Sequence, residues 1–298
     1  MRHLYNVIII ITLLLIIGCR DNIKQDYHND AAEEHSINTL EETPASEEIE
    51  QPSDKYSELP LSKFSYSWDN GEEIPPIVII IDDFGNFAGE LLDDFASLPK
   101  EVVFAVLPDL PHTQKAGAVA SAHGHEVLIH TPMQAVSNTS ATGARYIKKN
   151  ASAEEIMTTL ADFHAQLPMA MGANNHTGSA VTADREAMTA VLNYLDSKGM
   201  IFIDSATTAE SVVPSLAKTL GYPALKRDIF LDVPDNTDAT LASKISSLGK
   251  YKGRREPVII ITHCHSRAKL DALRKFITQV EGMGLKLTTL KKAQALAS

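Results

Sequence analysis

The sequence predicts an α/β protein whose core is an irregular (β/α) barrel of about seven parallel strands. Apolar runs of strand length recur along the chain, and stretches with helical periodicity lie between most of them. The region that holds them is about 225 residues long, which is typical of one barrel domain. The first run is an unbroken β-branched series, as expected for a strand buried on both faces. The predicted strands are Ile77–Ile81, Val102–Leu107, Glu126–Ile129, Met169–Ala173, Met200–Ile203, Ala224–Leu231 and Val258–Thr262.

Local signals mark the ends of the helices between these strands. Ser152 and Glu155 resemble a capping box at a helix start, and Gly124 follows Thr113–His123 as a C-terminal cap would. No glycine-rich phosphate loop follows the first strand, which disfavours a nucleotide-binding Rossmann fold. Further helices are predicted over Phe87–Leu98, Thr182–Leu195, Ala209–Leu220, Asp238–Leu248 and Ser266–Gln279.

Residues 1–19 have the pattern of an export signal. A basic start precedes an apolar run that is shorter than the ~20 residues of a membrane span, and Gly18 and Cys19 follow it. Ile16-Ile17-Gly18-Cys19 resembles a bacterial lipobox, in which the cysteine is lipidated and becomes the mature N-terminus. We therefore expect an exported lipoprotein of the cell envelope or periplasm that is anchored to a membrane through Cys19. An ordinary cleaved signal and an uncleaved anchor are the alternatives.

Residues 20–71 are predicted to be an acidic, disordered tether ahead of the barrel domain at 72–298. Twelve carboxylates lie between Asp21 and Glu58, and large apolar residues are few. The whole chain has a formal net charge of −11. Because a nucleic-acid partner requires a basic face, this charge excludes nucleic acid as an expected partner. Once Cys19 is assigned to lipid, Cys264 has no partner, so we expect no disulfide and interpret Cys264 as a small buried hydrophobe.

Polar side chains follow the ends of several predicted strands. In a parallel barrel these ends share one face, which is where the chemistry of such folds is found. One aspartate and two histidines with open positions left over are a common ligand set for Zn²⁺ and similar divalent ions, so the sequence predicts a metal site. The polar groups are Asp82-Asp83, His130-Thr131, Asn174-Asn175-His176, Asp204-Ser205 and His263-Cys264-His265.

Five motifs resemble those of a known family when they are taken together and in order. They are Ile-Asp-Asp-Phe-Gly, Gly-His-Glu-Val-Leu-Ile-His-Thr-Pro-Met, Asn-Asn-His-Thr-Gly-Ser, Phe-Ile-Asp-Ser and Thr-His-Cys-His. The chain is similar to the divergent polysaccharide deacetylase family (YibQ-like), a relative of the NodB-homology deacetylases of carbohydrate esterase family 4. The similarity covers Pro76 to Leu290. It implies a barrel with a divalent metal, most simply zinc, at its mouth and an acetylated carbohydrate as substrate.

The resemblance also assigns roles to residues. It implies Asp82 as general base, Asp83 and His130 as metal ligands, and His263 as the acid that protonates the leaving group. Gln134 stands where the esterase family has its second ligand histidine, and a neutral amide is a poor replacement for imidazole. We therefore expect His176 to be the third ligand.

Four further residues are expected to contact substrate or to support the ligands: Asn175, Asp204, Arg227 and His265. The function predicted from the sequence is a metal-dependent deacetylase of an envelope glycan or other carbohydrate. Gln134 and an aromatic content of only 6% motivate one alternative, a weak or inactive barrel that binds glycan or cell wall or serves as a scaffold. A metal hydrolase of another kind, such as an amidase, is a further alternative.

Overall fold

A computed structural model describes residues 59–66, 68, 71–137 and 143–297. The signal segment, Cys19 and most of the acidic tether lie outside the described residues, so those assignments stay predictions. Within the described residues, no helix combines the length and the apolar character that crossing a bilayer requires.

In the described part of the chain, eight parallel strands form one sheet in the order β6-β5-β4-β3-β2-β1-β8-β7, with helices between most of them. This confirms the predicted (β/α) barrel class, with one strand more than expected. The strands are β1 Ile77–Phe84, β2 Val103–Val106, β3 Val127–Met133, β4 Gly172–Thr177, β5 Ile201–Asp204, β6 Ala224–Lys226, β7 Ile229–Phe230 and β8 Val258–His263. The helices are α1 Glu90–Ala96, α2 Thr113–Ala122, α3 Ala153–Gln166, α4 Arg185–Ser197, α5 Val213–Leu220, α6 Asp238–Ser247, α7 Arg267–Gly282 and α8 Leu290–Ala297.

The additional strand arises because the predicted run Ala224–Leu231 divides at Arg227 and Asp228. The backbone N–H of Arg227 donates to Asp204 on β5, whereas that of Asp228 donates to Ile259 on β8. These two consecutive residues thus bond to strands near opposite ends of the strand order, in which β6 and β7 are the edge strands. Since three peptide units span at most ~11 Å, the edges must lie close together, and the sheet is curled into an incompletely bonded barrel.

Side-chain alternation along the strands separates two apolar layers. Ile77, Ile79 and Ile81 of β1 face the surrounding helices, while Val78 and Ile80 face the barrel interior. The interior layer also contains Leu290 and Ala293, which place α8 against the amino ends of the strands. Glu126 accepts hydrogen bonds from the N–H groups of Leu290 and Lys291, so its carboxylate caps this helix.

The folded unit begins earlier than the predicted boundary at residue 72. Leu61 and Trp68 belong to the buried outer layer, and the Trp68 ring nitrogen donates to the carbonyl of Ile245 on α6 at 3.1 Å. The N–H of Leu61 donates to Gln279 on α7. Placing Trp68 outside the barrel domain was therefore wrong, because the segment before β1 packs against α6 and α7.

Trp68→Ala is expected to lower the free energy of unfolding by about 3–5 kcal/mol, since it removes a large side chain that is only 4% exposed. Denaturant unfolding of the purified protein measures this. Trp68→Phe is the matched control, because it retains most of the ring volume while losing the bond to Ile245. If the alanine variant unfolds at the same denaturant concentration as wild type, this segment does not contribute to the folded core.

Candidate metal centre

Four strands bring the polar residues to one end of the barrel. The predicted strand ends were too early: β1 continues through Asp82 and Asp83, β3 through His130, and β4 through His176. Alternation continues along these extensions. Because Leu128 and Ile261 face the interior, His130 and His263 two residues later face it as well. The candidate residues therefore lie on the inner face at the carboxyl mouth.

Strand β1 breaks the alternation at Asp83. The pairing register with β2 shifts between Ile81 and Phe84, and Asp83 has a φ of 74°. One inserted residue of this kind is a β-bulge, which re-aims neighbouring side chains. Phe84 consequently faces the outer layer as Ile81 does. Asp83 turns to the mouth beside Asp82, and aspartate is among the few residues that tolerate this left-handed conformation.

Three potential ligand atoms converge at the mouth. Asp83 Oδ1 lies 3.1 Å from His130 Nε2 and 3.1 Å from His176 Nδ1, and the two ring nitrogens are 3.0 Å apart. Asp83 Oδ1 is buried, and no donor is directed at it in the geometry of a hydrogen bond. Two imidazole nitrogens and one carboxylate oxygen are a favourable donor set for a divalent cation. The residues present thus fit a metal, which would compensate the orphaned oxygen.

The charge of this cluster is reflected in its pKa values. Burial by itself would raise the pKa of Asp83, but its contacts with His130, His176 and His265 hold that pKa well below its usual range. Burial likewise opposes protonation of His130, yet the nearby Asp82 and Asp83 carboxylates outweigh it and raise the pKa to about 9. Burial raises the pKa of Asp82 despite the opposing effect of His130. The two carboxylates thus stabilise positive charge on the adjacent imidazole, and a bound cation would replace that charge.

A second cluster lies across β1 from the ligands. His263 is paired with Asp82 in the register of β8 and β1, and its Nδ1 lies 3.0 Å from both carboxylate oxygens of Asp232. Lys269 also donates to Asp232. Burial opposes protonation of His263, but the contact with Asp232 outweighs it and raises the pKa. Asp232 thus holds the His263 ring next to Asp82, and it was not among the predicted site residues.

The two residues that follow His263, just after the end of β8, have different environments. His265 lies on the same side as His263, and its Nε2 is 2.6 Å from Asp83 Oδ2, so it supports the carboxylate of a candidate ligand. Cys264 faces the outer layer, where burial raises the pKa of its thiol well above the usual value. It is a buried hydrophobe, as the sequence indicated.

Three of the predicted supporting residues are engaged away from the ligand atoms. Asn175 binds Ser205 and Thr177 through its side-chain amide, and both carboxylate oxygens of Asp204 bind its own loop, at Ala206 and Ser211. These contacts follow from alternation, because Asn175 and Asp204 face outward on their strands. The guanidinium of Arg227 donates to the carbonyls of Ser205 and Ala206. The structure therefore gives these three residues contacts that order the loop after β5, in place of contacts with the ligands.

Asn174, beside Asn175, lies among the polar groups at the predicted strand ends but was not among the predicted supporting residues. It is fully buried, and its Oδ1 lies 2.9 Å from His130 Nδ1. Its Nδ2 donates to Asp82 Oδ1 at 2.8 Å. Strand alternation contained the signal, because Ala173 faces outward and Asn174 and His176 must then face inward.

Gln134 anchors a loop and makes no contact with the ligand cluster. Its Oε1 accepts from the N–H of Lys149 at 3.0 Å, and its backbone N–H donates to Ile147. Arg145, from the same loop, forms a bidentate ion pair with Asp109 after β2. The residue at the expected ligand position thus holds residues 143–151 beside the mouth, and His176 lies at the site.

A cleft of about 420 Å³ opens directly on the candidate ligands. Asp83, His176 and His265 form one side, and Leu107, Leu110 and the Asp109–Arg145 pair belong to the rest of its lining. Among the described residues that line this cleft there is no Phe, Tyr or Trp. A larger cavity of about 840 Å³ between residues 144–151 and α3 contains none of the candidate ligands.

Comparison with known proteins places this chain in a family. A family model described as divergent polysaccharide deacetylase matches residues 79–293. The chain belongs to the divergent polysaccharide deacetylase family. The resemblance seen in the sequence motifs is thereby confirmed, and the ligand triad, Asp82 and His263 all lie inside the matched region of this deacetylase family.

Two curated relatives of this chain are uncharacterized proteins. One is from Haemophilus influenzae, 33% identical over 187 residues, which cover 63% of this chain and 66% of the relative. The other is YibQ of Escherichia coli, 31% identical over 189 residues, which cover 63% of this chain and 58% of the relative. The matched region spans less than two thirds of either relative.

A solved structure shares the fold of this deacetylase-family chain. It is the uncharacterized protein ATU2773 from Agrobacterium tumefaciens C58, with a TM-score of 0.67 and 20% sequence identity. The similarity covers 80% of this chain and 94% of that protein. At this identity the likeness shows the fold alone.

Proposed function

We propose that this protein is a metal-dependent deacetylase that acts on an acetylated carbohydrate of the cell envelope. The observation that carries the proposal is the convergence of Asp83, His130 and His176 at 3.0–3.1 Å, beside Asp82 and His263. A carboxylate and an imidazole that flank a metal site are the base and the acid that hydrolysis of an acyl group requires. Membership of the divergent polysaccharide deacetylase family supports an acyl group as the reacting group and a carbohydrate as the substrate that carries it.

In this proposal the chain's own residues divide the work of hydrolysis. A divalent ion, for which zinc fits the donor set, supplies Lewis-acid chemistry: it lowers the pKa of water from ~15.7 towards ~7 and polarises a carbonyl. Asp82 takes the proton of the attacking water, since burial raises the pKa of this carboxylate towards that of a useful base. His263 gives a proton to the departing amine or alkoxide, with Asp232 holding its ring.

The cleft favours a small acylated unit. Its volume of about 420 Å³ lies near the lower end of ligand pockets, which span ~300–1,000 Å³. Since the described part of its lining offers no Phe, Tyr or Trp on which sugar rings could stack, a long polysaccharide groove is disfavoured. Release of acetate from acetylated chito-oligosaccharides of increasing length and from peptidoglycan fragments tests this. If metal-loaded protein releases no acetate from any of them, the proposed activity is wrong.

Asp232→Asn is expected to move the alkaline limb of the pH–activity profile to lower pH. Activity through His263 is present while the ring is protonated and is lost as the pH rises through its pKa. Because Asp232 raises that pKa, removing the carboxylate's charge brings the loss to lower pH. Rates measured across the neutral-to-alkaline range give the limb directly. Asp93→Asn, at an exposed position of α1, is the control; an unmoved limb in Asp232→Asn would contradict the pairing.

The proposed location is the cell envelope, with a lipid on Cys19 as the anchor. The proposal is supported by the basic start, the apolar run and the Gly18-Cys19 pair of the sequence. Growth with a labelled fatty acid should label wild-type protein and leave Cys19→Ser unlabelled. Equal labelling of the two proteins would contradict lipidation at this residue.

A further inference from the structure

Asn174 joins a candidate metal ligand to the candidate base through one side chain. Its Oδ1 lies 2.9 Å from His130 Nδ1, and its Nδ2 lies 2.8 Å from Asp82 Oδ1. Its Nδ2 also lies 3.4 Å from the hydroxyl of Ser205. Because Asn174 is fully buried, water does not compete for these bonds.

The orientation of the Asn174 amide follows from the chemistry of its neighbours. The carboxylate of Asp82 only accepts hydrogen bonds when ionised, so it selects the NH₂ end of the amide. The reversed amide would set two acceptor oxygens 2.8 Å apart. With the NH₂ directed at Asp82, the amide oxygen must face His130 Nδ1, which therefore carries a proton.

We propose that Asn174 is a positioning residue that holds the His130 ring with Nε2 directed at the metal. An Nδ1–H bonded to Asn174 leaves Nε2 as the nitrogen whose lone pair faces Asp83 and His176. Ligand histidines are commonly oriented through their second ring nitrogen, and the loss of such a partner typically weakens metal binding by ~10–100-fold. The inference rests on the proposed function only in taking Asp83, His130 and His176 as metal ligands.

Three substitutions separate the polar contact from the space that Asn174 fills. Asn174→Leu keeps the branched shape of the side chain without its polar atoms. Asn174→Ala removes both the polar atoms and the bulk. Asn174→Asp keeps an oxygen that accepts from His130 Nδ1–H, and its second oxygen would share a proton with the Asp82 carboxylate 2.8 Å away. Asn175→Ala is the matched control on the same strand, because its amide binds Ser205 and Thr177.

Zinc affinity of the purified full chain, measured by competition with a chelator, is the first readout. Asn174→Leu and Asn174→Ala should bind zinc ~10–100-fold more weakly than wild type, while Asn174→Asp restores the affinity to the wild-type range. The slowly exchanging His130 Nδ1–H proton is the second readout by NMR. It should be present in wild type and Asn174→Asp and absent in Asn174→Leu.

Some outcomes would overturn the inference. They are wild-type zinc affinity in Asn174→Leu, an Asn174→Asp variant that binds no better than Asn174→Leu, or loss of affinity in Asn175→Ala equal to that in Asn174→Ala. If Asn174→Ala fails to fold, the Leu and Asp variants still decide the matter. Neither readout uses a substrate, so a protein that shows the predicted affinities but releases no acetate contradicts the proposed function and leaves this inference standing.

Discussion

Asp83→Asn is expected to abolish stoichiometric binding of a divalent metal and to lower hydrolysis by roughly 10³-fold or more. The substitution removes the negative charge from the oxygen that lies 3.1 Å from both His130 and His176. Asparagine tolerates the left-handed backbone at this position almost as well as aspartate, so the bulge is preserved. Metal analysis of the dialysed protein, together with acetate release at saturating metal, measures both effects.

The informative comparison for Asp83→Asn is with Asp83→Ala. Alanine should also lose the metal, and it should additionally destabilise the fold by about 1–2 kcal/mol because it does not favour positive φ. If Asp83→Asn retains one metal ion per chain and normal rates, Asp83 is not a ligand and the triad is wrongly assigned.

Asp82→Asn is expected to lower kcat by about 10²–10⁴-fold, the range that general acid–base catalysis contributes. The variant should retain its metal, because asparagine still offers an oxygen to Asn174 and the three ligand atoms are unchanged. The expected separation is thus loss of rate without loss of metal. Steady-state kinetics on the best acetylated substrate and metal analysis of the same sample measure the two quantities.

Asp82→Asn and Asp83→Asn serve as controls for one another, since they are the same change at adjacent positions. The predicted result is that Asp83→Asn loses the metal and Asp82→Asn retains it. If Asp82→Asn hydrolyses the substrate at the wild-type rate, Asp82 is not the base. If both variants lose the metal, Asp82 has a role in the ligand set that the distances do not indicate.

The barrel could be predicted because its determinants are local. Buried β-branched runs alternate with capped helices, as in the Ser152 capping box, which the structure shows in full at the start of α3. The division of Ala224–Leu231 into β6 and β7 could not be predicted in this way. It depends on Arg227 and Asp228 bonding to β5 and β8, which only the curvature of the whole sheet brings together.

The site was predictable where strand alternation continues and unpredictable where it breaks. Side-chain alternation places Asn174 inward and Asn175 and Asp204 outward. Continuing this alternation beyond the predicted end of β4 would have identified Asn174 as the asparagine that faces the site. The bulge at Asp83 leaves no such signal in the sequence. An aspartate can adopt either an extended or a left-handed conformation, and the residue type does not tell the two apart. Alternation alone would have placed Asp83 outside the site.

Long-range packing accounts for the misplaced domain boundary. Trp68 ends a short run in which Phe64, Tyr66 and Trp68 alternate with polar residues, but its hydrogen-bond partner is 177 residues away at Ile245. Nothing near Trp68 in the sequence indicates that α6 will offer it a surface. The sequence likewise does not show the contact between Asp232 and His263, because the two residues are close in space but 31 positions apart in the chain.

The metal content of the purified full-length protein tests the central claim most directly, compared among wild type, His176→Ala and Gln134→Ala. The distances predict one divalent ion per chain in wild type, its loss in His176→Ala, and its retention in Gln134→Ala, because Gln134 binds Lys149 instead of the ligands. A wild-type protein without stoichiometric metal, or a His176→Ala variant that binds it unchanged, would contradict the assignment of Asp83, His130 and His176 as the metal centre.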